Sequence, residues 1–179
     1  MDDFYFMEKA LIQAQNALSE GEFPVGCIIA LGDEVIAAGA REGTKGEVAS
    51  EIDHAEIVAL KNLNSLGRSI PRNRLVFYST LEPCIMCYGA ILLHGIRRIV
   101  YAYEDVMGGG TRCDLSNLTP LYRNIQVSIV PNMLRERSVV LLKAYFEKPE
   151  NGYLRGSLLA KHTLSQSAQL TSSDLLQGT

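Results

Sequence analysis

His54-Ala55-Glu56-Ile57-Val58-Ala59-Leu60 and, downstream, Thr80-Leu81-Glu82-Pro83-Cys84-Ile85-Met86-Cys87-Tyr88 are the stretches whose reading decides this chain. Between them they supply one imidazole, two thiolates and a carboxylate placed beside the first ligand. Three protein ligands, His54, Cys84 and Cys87, leave a zinc ion one open position, which is the mark of a catalytic centre; a structural zinc is normally closed by four. Zn2+ is therefore the expected cofactor.

Each half alone has other readings. A solitary histidine is more often a satisfied core residue than a ligand, and short motif matches are only hypotheses. C-x-x-C also serves as a redox dithiol or as half of a four-cysteine zinc knuckle. The knuckle needs a second pair, but Cys27 and Cys113 stand apart from one another. The redox reading leaves His54 and Glu56 without a role.

Working outward, Phe4 to Ser19 reads as a helix with Phe4, Met7, Leu11, Ala14 and Leu18 on one face. Val25 to Leu31 is an apolar run of strand length, and Gly32-Asp33 marks a hairpin into Glu34 to Ala38. A polar loop follows, and Asp53 has the chemistry of an N-cap for a helix from His54 to about Asn64, with Glu56 where a capping box puts its carboxylate. Arg74 to Ser79 is the next strand. Pro83 suits the first turn of a helix, and Cys84 and Cys87, three apart, share one face of it near the positive end of its dipole. Gly95 fits a C-terminal cap. Ile99 to Tyr103 and Ile125 to Val130 read as strands and Leu134 to Phe146 as a helix. Strands alternating with helices predict a three-layer α/β domain.

The chain has 179 residues, 47% of them apolar, with a formal net charge of −3. That fits one soluble domain with a sizeable core, expected over residues 1–148, followed by a peripheral or partly disordered C-terminal tail over 149–179. No apolar run reaches the length of a membrane span, so no membrane partner is expected. The acidic start, Met1-Asp2-Asp3, is unlike a secretory signal, and four cysteines of which two are candidate ligands point to a reducing, cytoplasmic setting.

The H-x-E and P-C-x-x-C pair is the signature of the zinc nucleobase deaminases. The chain resembles the cytidine deaminase superfamily, in the branch with tRNA adenosine deaminases, guanine deaminases and fungal-type cytosine deaminases. The likeness is carried by Glu22-Phe23-Pro24-Val25-Gly26, His54 to Leu60 and Thr80 to Ile91, within an order of elements matching over roughly residues 5–147. It implies a three-layer α-β-α fold around a five-stranded mixed sheet, assembly as a homodimer or larger, and active sites near the interface. It also implies that backbone groups at Ala55 and Glu82 fix the base edge. Arg41 stands near the place where relatives acting on purines often carry an asparagine that contacts the base, which makes it a candidate substrate contact. Phe23 offers either a wall for the base or plain core packing. The loop Glu104-Asp105-Val106-Met107-Gly108-Gly109-Gly110 reads as a mobile connection in preference to a phosphate cradle.

The expected reaction is hydrolytic release of ammonia from an amino-substituted base, with Glu56 as general acid and base. A non-catalytic zinc-binding partner subunit is the alternative of another class, and the intact Glu56 speaks against it. A nucleic-acid-binding module draws little support from a pI of about 5.6. Polyanion binding leans on Lys and Arg, so the expected substrate is a small free base or nucleoside such as cytosine, guanine or adenosine, with adenosine in tRNA as the runner-up.

Overall fold

The computed structural model describes residues 2–167 apart from 47 and 68. Five strands form one sheet in the order β2-β1-β3-β4-β5: β1 (Gly26–Leu31), β2 (Glu34–Ala40), β3 (Leu75–Leu81), β4 (Arg98–Tyr103) and β5 (Ser128–Val130). β1 runs antiparallel to both β2 and β3, whereas β3, β4 and β5 are parallel. The sheet is mixed and five-stranded, as expected. Every residue of β3 is buried, which fits a central strand covered on both faces.

Helix α1 (Asp3–Ser19) covers one face, setting Phe6, Met7, Ala10 and Leu11 against Ile28, Tyr78 and Val100. Its start is capped by the Asp2 carboxylate, which accepts from the Phe4 and Tyr5 amides. Helices α2 (Ala55–Ser65) and α3 (Ile85–Leu93) contribute Ala59, Leu63, Ile91 and Leu92 to the core cluster that also holds Ile29, Phe77 and Ile99. Helix α4 (Pro120–Arg123) is a single turn, and α5 (Arg135–Phe146) contacts β3, β4 and α1. The layers are α-β-α.

Two glycines set how closely helices approach the sheet. A Cβ on Gly26 would lie 2.3 Å from the Ala10 carbonyl oxygen, and one on Gly39 2.4 Å from the Ala59 amide nitrogen. Only a residue without a side chain fits at either position.

Three boundaries differ from the expectation. Helix α2 is capped by His54, not Asp53, because the Asp53 carboxylate is taken by Ser50 Oγ at 2.7 Å and Lys61 Nζ at 3.0 Å. Helix α3 is capped by Cys84, so Pro83 lies before the helix and not in its first turn. β5 starts at Ser128 because the Ile125 amide closes a turn onto the Tyr122 carbonyl.

Beyond α5, residues 149–157 form a turn-rich strap, which leads into α6 (Leu158–Ser165). Ser157 caps α6 through the Ala160 amide, and Leu159, Ala160 and Thr163 are buried. Residues 168–179, the remainder of the expected tail, lie outside the described residues. Among the described residues, no helix is long and apolar enough to cross a membrane.

Candidate metal centre and active site

The two helix starts place the ligands. His54 caps α2, Cys84 caps α3, and Cys87 sits one turn further on, fully buried. His54 Nδ1 lies 3.6 Å from Cys84 Sγ and 3.5 Å from Cys87 Sγ, with all three donor atoms within 4.8 Å of one another. In tetrahedral zinc, bonds of about 2.3 Å to sulfur and about 2.0 Å to nitrogen hold such an S and N roughly 3.5 Å apart. The donor set fits the ion in both chemistry and spacing.

The electrostatics agree. The hydrogen bond from the Cys87 thiol holds Cys84 well below the usual thiol range, at about 4, with His54 adding to the effect. Cys87 is pushed up by that same pairing and by burial, so the pair shares one proton that a cation would displace. His54 is raised by its hydrogen bond to Cys84. Glu56, in the first turn of α2, is 3% exposed, and burial pushes its carboxyl up to about 7.

A cavity of about 180 Å³ opens on this centre. His54, Glu56 and Cys84 line it, together with Phe23, Arg41 and Glu82 from the sequence reading. Ala55 does not line it; that residue is fully buried, with its carbonyl oxygen against Gly39. Phe23 is both wall and core, meeting Tyr145 and Tyr153 edge-on at 5.2 and 5.4 Å. The Glu82 side chain points to structural work: it accepts from Thr111 Oγ1 at 2.5 Å and from the Asp105 amide at 3.2 Å.

The glycine loop is pinned, contrary to the mobile connection expected. Cys84 pairs with Gly109 in a β-bridge, the Gly110 amide donates to the Pro83 carbonyl, and a Cβ on Gly110 would strike the Ile85 backbone at 2.6 Å. These glycines exist so that the loop can lie flush against the cysteine-bearing turn.

The pocket also takes in Glu51, Asp105 and Met107, and from the far end of the chain Tyr153, Leu154 and Leu159. Asp105 and Met107 come from the glycine loop at 104–110, whereas Glu51, Tyr153, Leu154 and Leu159 belong to no motif. Left-handed residues at Leu154 (φ 56°) and Gly156 (φ 73°) and a Ser cap at Ser157 are local signs that the strap turns inward.

Comparison with known proteins gives the same answer. Residues 1–103 match the model of the cytidine and deoxycytidylate deaminase zinc-binding region. The chain is 33% identical to tRNA-specific adenosine deaminase 2 of Xenopus laevis over 154 residues, covering 82% of this chain and 86% of that one. A structure from work on A-to-I editing by tRNA:A34 deaminases at the wobble position of transfer RNA superposes with a TM-score of 0.62 at 30% identity, covering 77% of this chain and 99% of that one. Guanine deaminase from Bacillus subtilis gives a TM-score of 0.52 at 27% identity, covering 58% and 66%. With a zinc-fitting His-Cys-Cys set on the matching fold, the chain belongs to the zinc-dependent cytidine and deoxycytidylate deaminase family.

Proposed function

We propose that this deaminase hydrolyses the exocyclic amine of a small amino-substituted nucleobase, taken up free or as a nucleoside, with His54, Cys84 and Cys87 holding zinc and Glu56 carrying the proton. The observation that carries this reading is the cavity: about 180 Å³, with His54, Glu56 and Cys84 on its wall and Tyr153, Leu154 and Leu159 closing it. That volume is below the roughly 300–1,000 Å³ of pockets for drug-sized ligands and suits a single ring system.

When bound, zinc supplies a water whose pKa falls from about 15.7 toward about 7. Glu56, on the cavity wall beside His54 and Cys84, would hold one proton on its carboxylate and return it to the ring nitrogen beside the amino-bearing carbon, then pass a second to the amine that leaves as ammonia. The balance is one water consumed, one C–N bond broken and one C=O formed. A carboxyl lifted by burial toward neutrality is suited to both accepting and returning a proton. Phe23 and Leu81 give the base an apolar wall.

A second reading, adenosine within tRNA, is favoured by the relatives: the Xenopus laevis protein acts on tRNA by its name. The surface gives it less support. Two arginines that could face a polyanion are already engaged, Arg98 in a bidentate pair with Asp3 and Arg97 on the Leu92 and Ile96 carbonyls. We further place the protein in the cytoplasm as a homodimer, with Ile85 and Leu93 of α3, each 61% exposed, as apolar surface for a second copy. An ammonia-release screen of zinc-loaded protein over free bases, nucleosides, nucleotides and tRNA separates the readings. Release from a base or nucleoside supports the first; inosine formed in tRNA alone supports the second.

A further inference from the structure

Arg41 is 3% exposed and, among the described residues, has no carboxylate within ion-pair distance. Buried cations are normally paired, so its hydrogen bonds must be what holds it. It donates through Nη1 to the Glu42 carbonyl at 2.7 Å and through Nη2 to the Ser50 carbonyl at 2.5 Å. Nη2 also reaches the Tyr153 hydroxyl at 3.3 Å, and the guanidinium carbon stands 5.3 Å from the centre of that ring. The Tyr153 hydroxyl in turn donates to Glu51 Oε2 at 3.0 Å. One buried guanidinium thus joins the loop after β2 to the C-terminal strap, 112 residues away.

The place of this junction matters. Glu51, Tyr153 and Leu154 line the zinc-facing cavity of about 180 Å³ and also a neighbouring basin of about 730 Å³. They are the partition between the two. The strap is anchored on both sides of the partition: Asn151 Nδ2 donates to the Tyr145 carbonyl at 2.8 Å, and Leu159 is 1% exposed in the core. Leu154 holds a left-handed φ of 56°, a conformation that persists only where surrounding contacts over-determine it.

We infer that Arg41 and Tyr153 form a latch that sets the size limit of the substrate, keeping a base-sized cavity apart from a basin able to hold a sugar or a longer chain. The inference rests on the deaminase reading above and narrows it: the closed form takes a detached base, and a base joined to ribose is admitted only when the partition opens. Arg41 is here a positioning residue, acting through Tyr153.

Tyr153→Phe and Tyr153→Ala test this on the full zinc-loaded chain. The first removes the hydroxyl and keeps the ring; the second removes the wall. The readouts are kcat/KM on a free base and on its nucleoside, and backbone hydrogen exchange over residues 42–51 and 150–157. Losing a bond of this kind shifts an open–closed balance by about 10-fold. Exchange in both segments should rise together by about that factor, and the nucleoside-to-base ratio of kcat/KM should rise about 10-fold in Tyr153→Phe and further in Tyr153→Ala. An unchanged ratio, or faster exchange in the strap alone, overturns the latch. A wild-type protein that deaminates no base or nucleoside sinks the functional reading instead, and coupled exchange of the two segments still decides whether the latch exists.

Discussion

His54 Nδ1 stands 3.5 Å from Cys87 Sγ although 33 residues separate them. The contact is made by two helix starts: α2 is capped by the histidine itself, and α3 is capped by Cys84 with Cys87 one turn in. Neither N-cap side chain makes a capping hydrogen bond, which leaves the His54 ring and the Cys84 thiol available to meet at the site.

Cys87→Ala should therefore lose zinc and turnover together, because a histidine and one thiolate cannot hold the ion in a closed-on-one-side tetrahedral site. Elemental analysis of the purified variant checks this. Full zinc occupancy would remove Cys87 from the ligand set.

Gly39→Ala tests how the sheet positions the site. The added methyl would lie 2.4 Å from both the Ala55 carbonyl oxygen and the Ala59 amide nitrogen, so α2 must back away and carry His54 and Glu56 with it. Overpacking of this kind costs about 1–3 kcal/mol. Denaturant unfolding should show that loss, accompanied by weaker zinc retention; a variant as stable as wild type would mean the helix yields without strain.

How much of this was legible in the sequence divides along physical lines. The hairpin at Gly32-Asp33 was legible because the turn needs a left-handed residue, and Gly32 has φ 62°. The ligand set was legible because metal chemistry ties residue type to spacing. The expected helix starts fell early at both Asp53 and Pro83, with α2 beginning at Ala55 and α3 at Ile85; at Asp53 the cap chemistry is claimed elsewhere, by Ser50 and Lys61. Tyr153, Leu154 and Leu159 were not legible as pocket residues at all. Tyr153 reaches the site by packing against Phe23 and Arg41, more than a hundred residues away in the chain, and Leu154 and Leu159 join the same core cluster as Phe23, which leaves no local pattern.

Acid should loosen the attachment of α6. Burial pushes Glu104 up, but hydrogen bonds from Arg135, its own backbone and His162 outweigh it and hold the carboxyl at about 2, against an ordinary 4.5. A carboxyl depressed by folding stabilises the fold above its unfolded value, and that stabilisation is lost as pH falls through the folded one. Arg135→Met should be less stable than wild type at pH 7 by about 1 kcal/mol, as such pairs usually measure. The pH-dependent part of that gap should close between about pH 4.5 and pH 2. A gap constant over this range would assign the Arg135 effect to its stacking on Tyr103 at 4.9 Å instead.

Ammonia release by zinc-loaded wild type and Glu56→Gln, measured side by side on the base that wild type prefers, tests the central claim most directly. The variant keeps the size of the side chain but cannot accept a proton. One zinc per chain in both proteins, with turnover lower in Glu56→Gln by roughly 100-fold or more, is the result expected of a buried general acid–base group. Near-normal turnover in the zinc-loaded variant would contradict the account, since the proton would then be carried by a group other than Glu56.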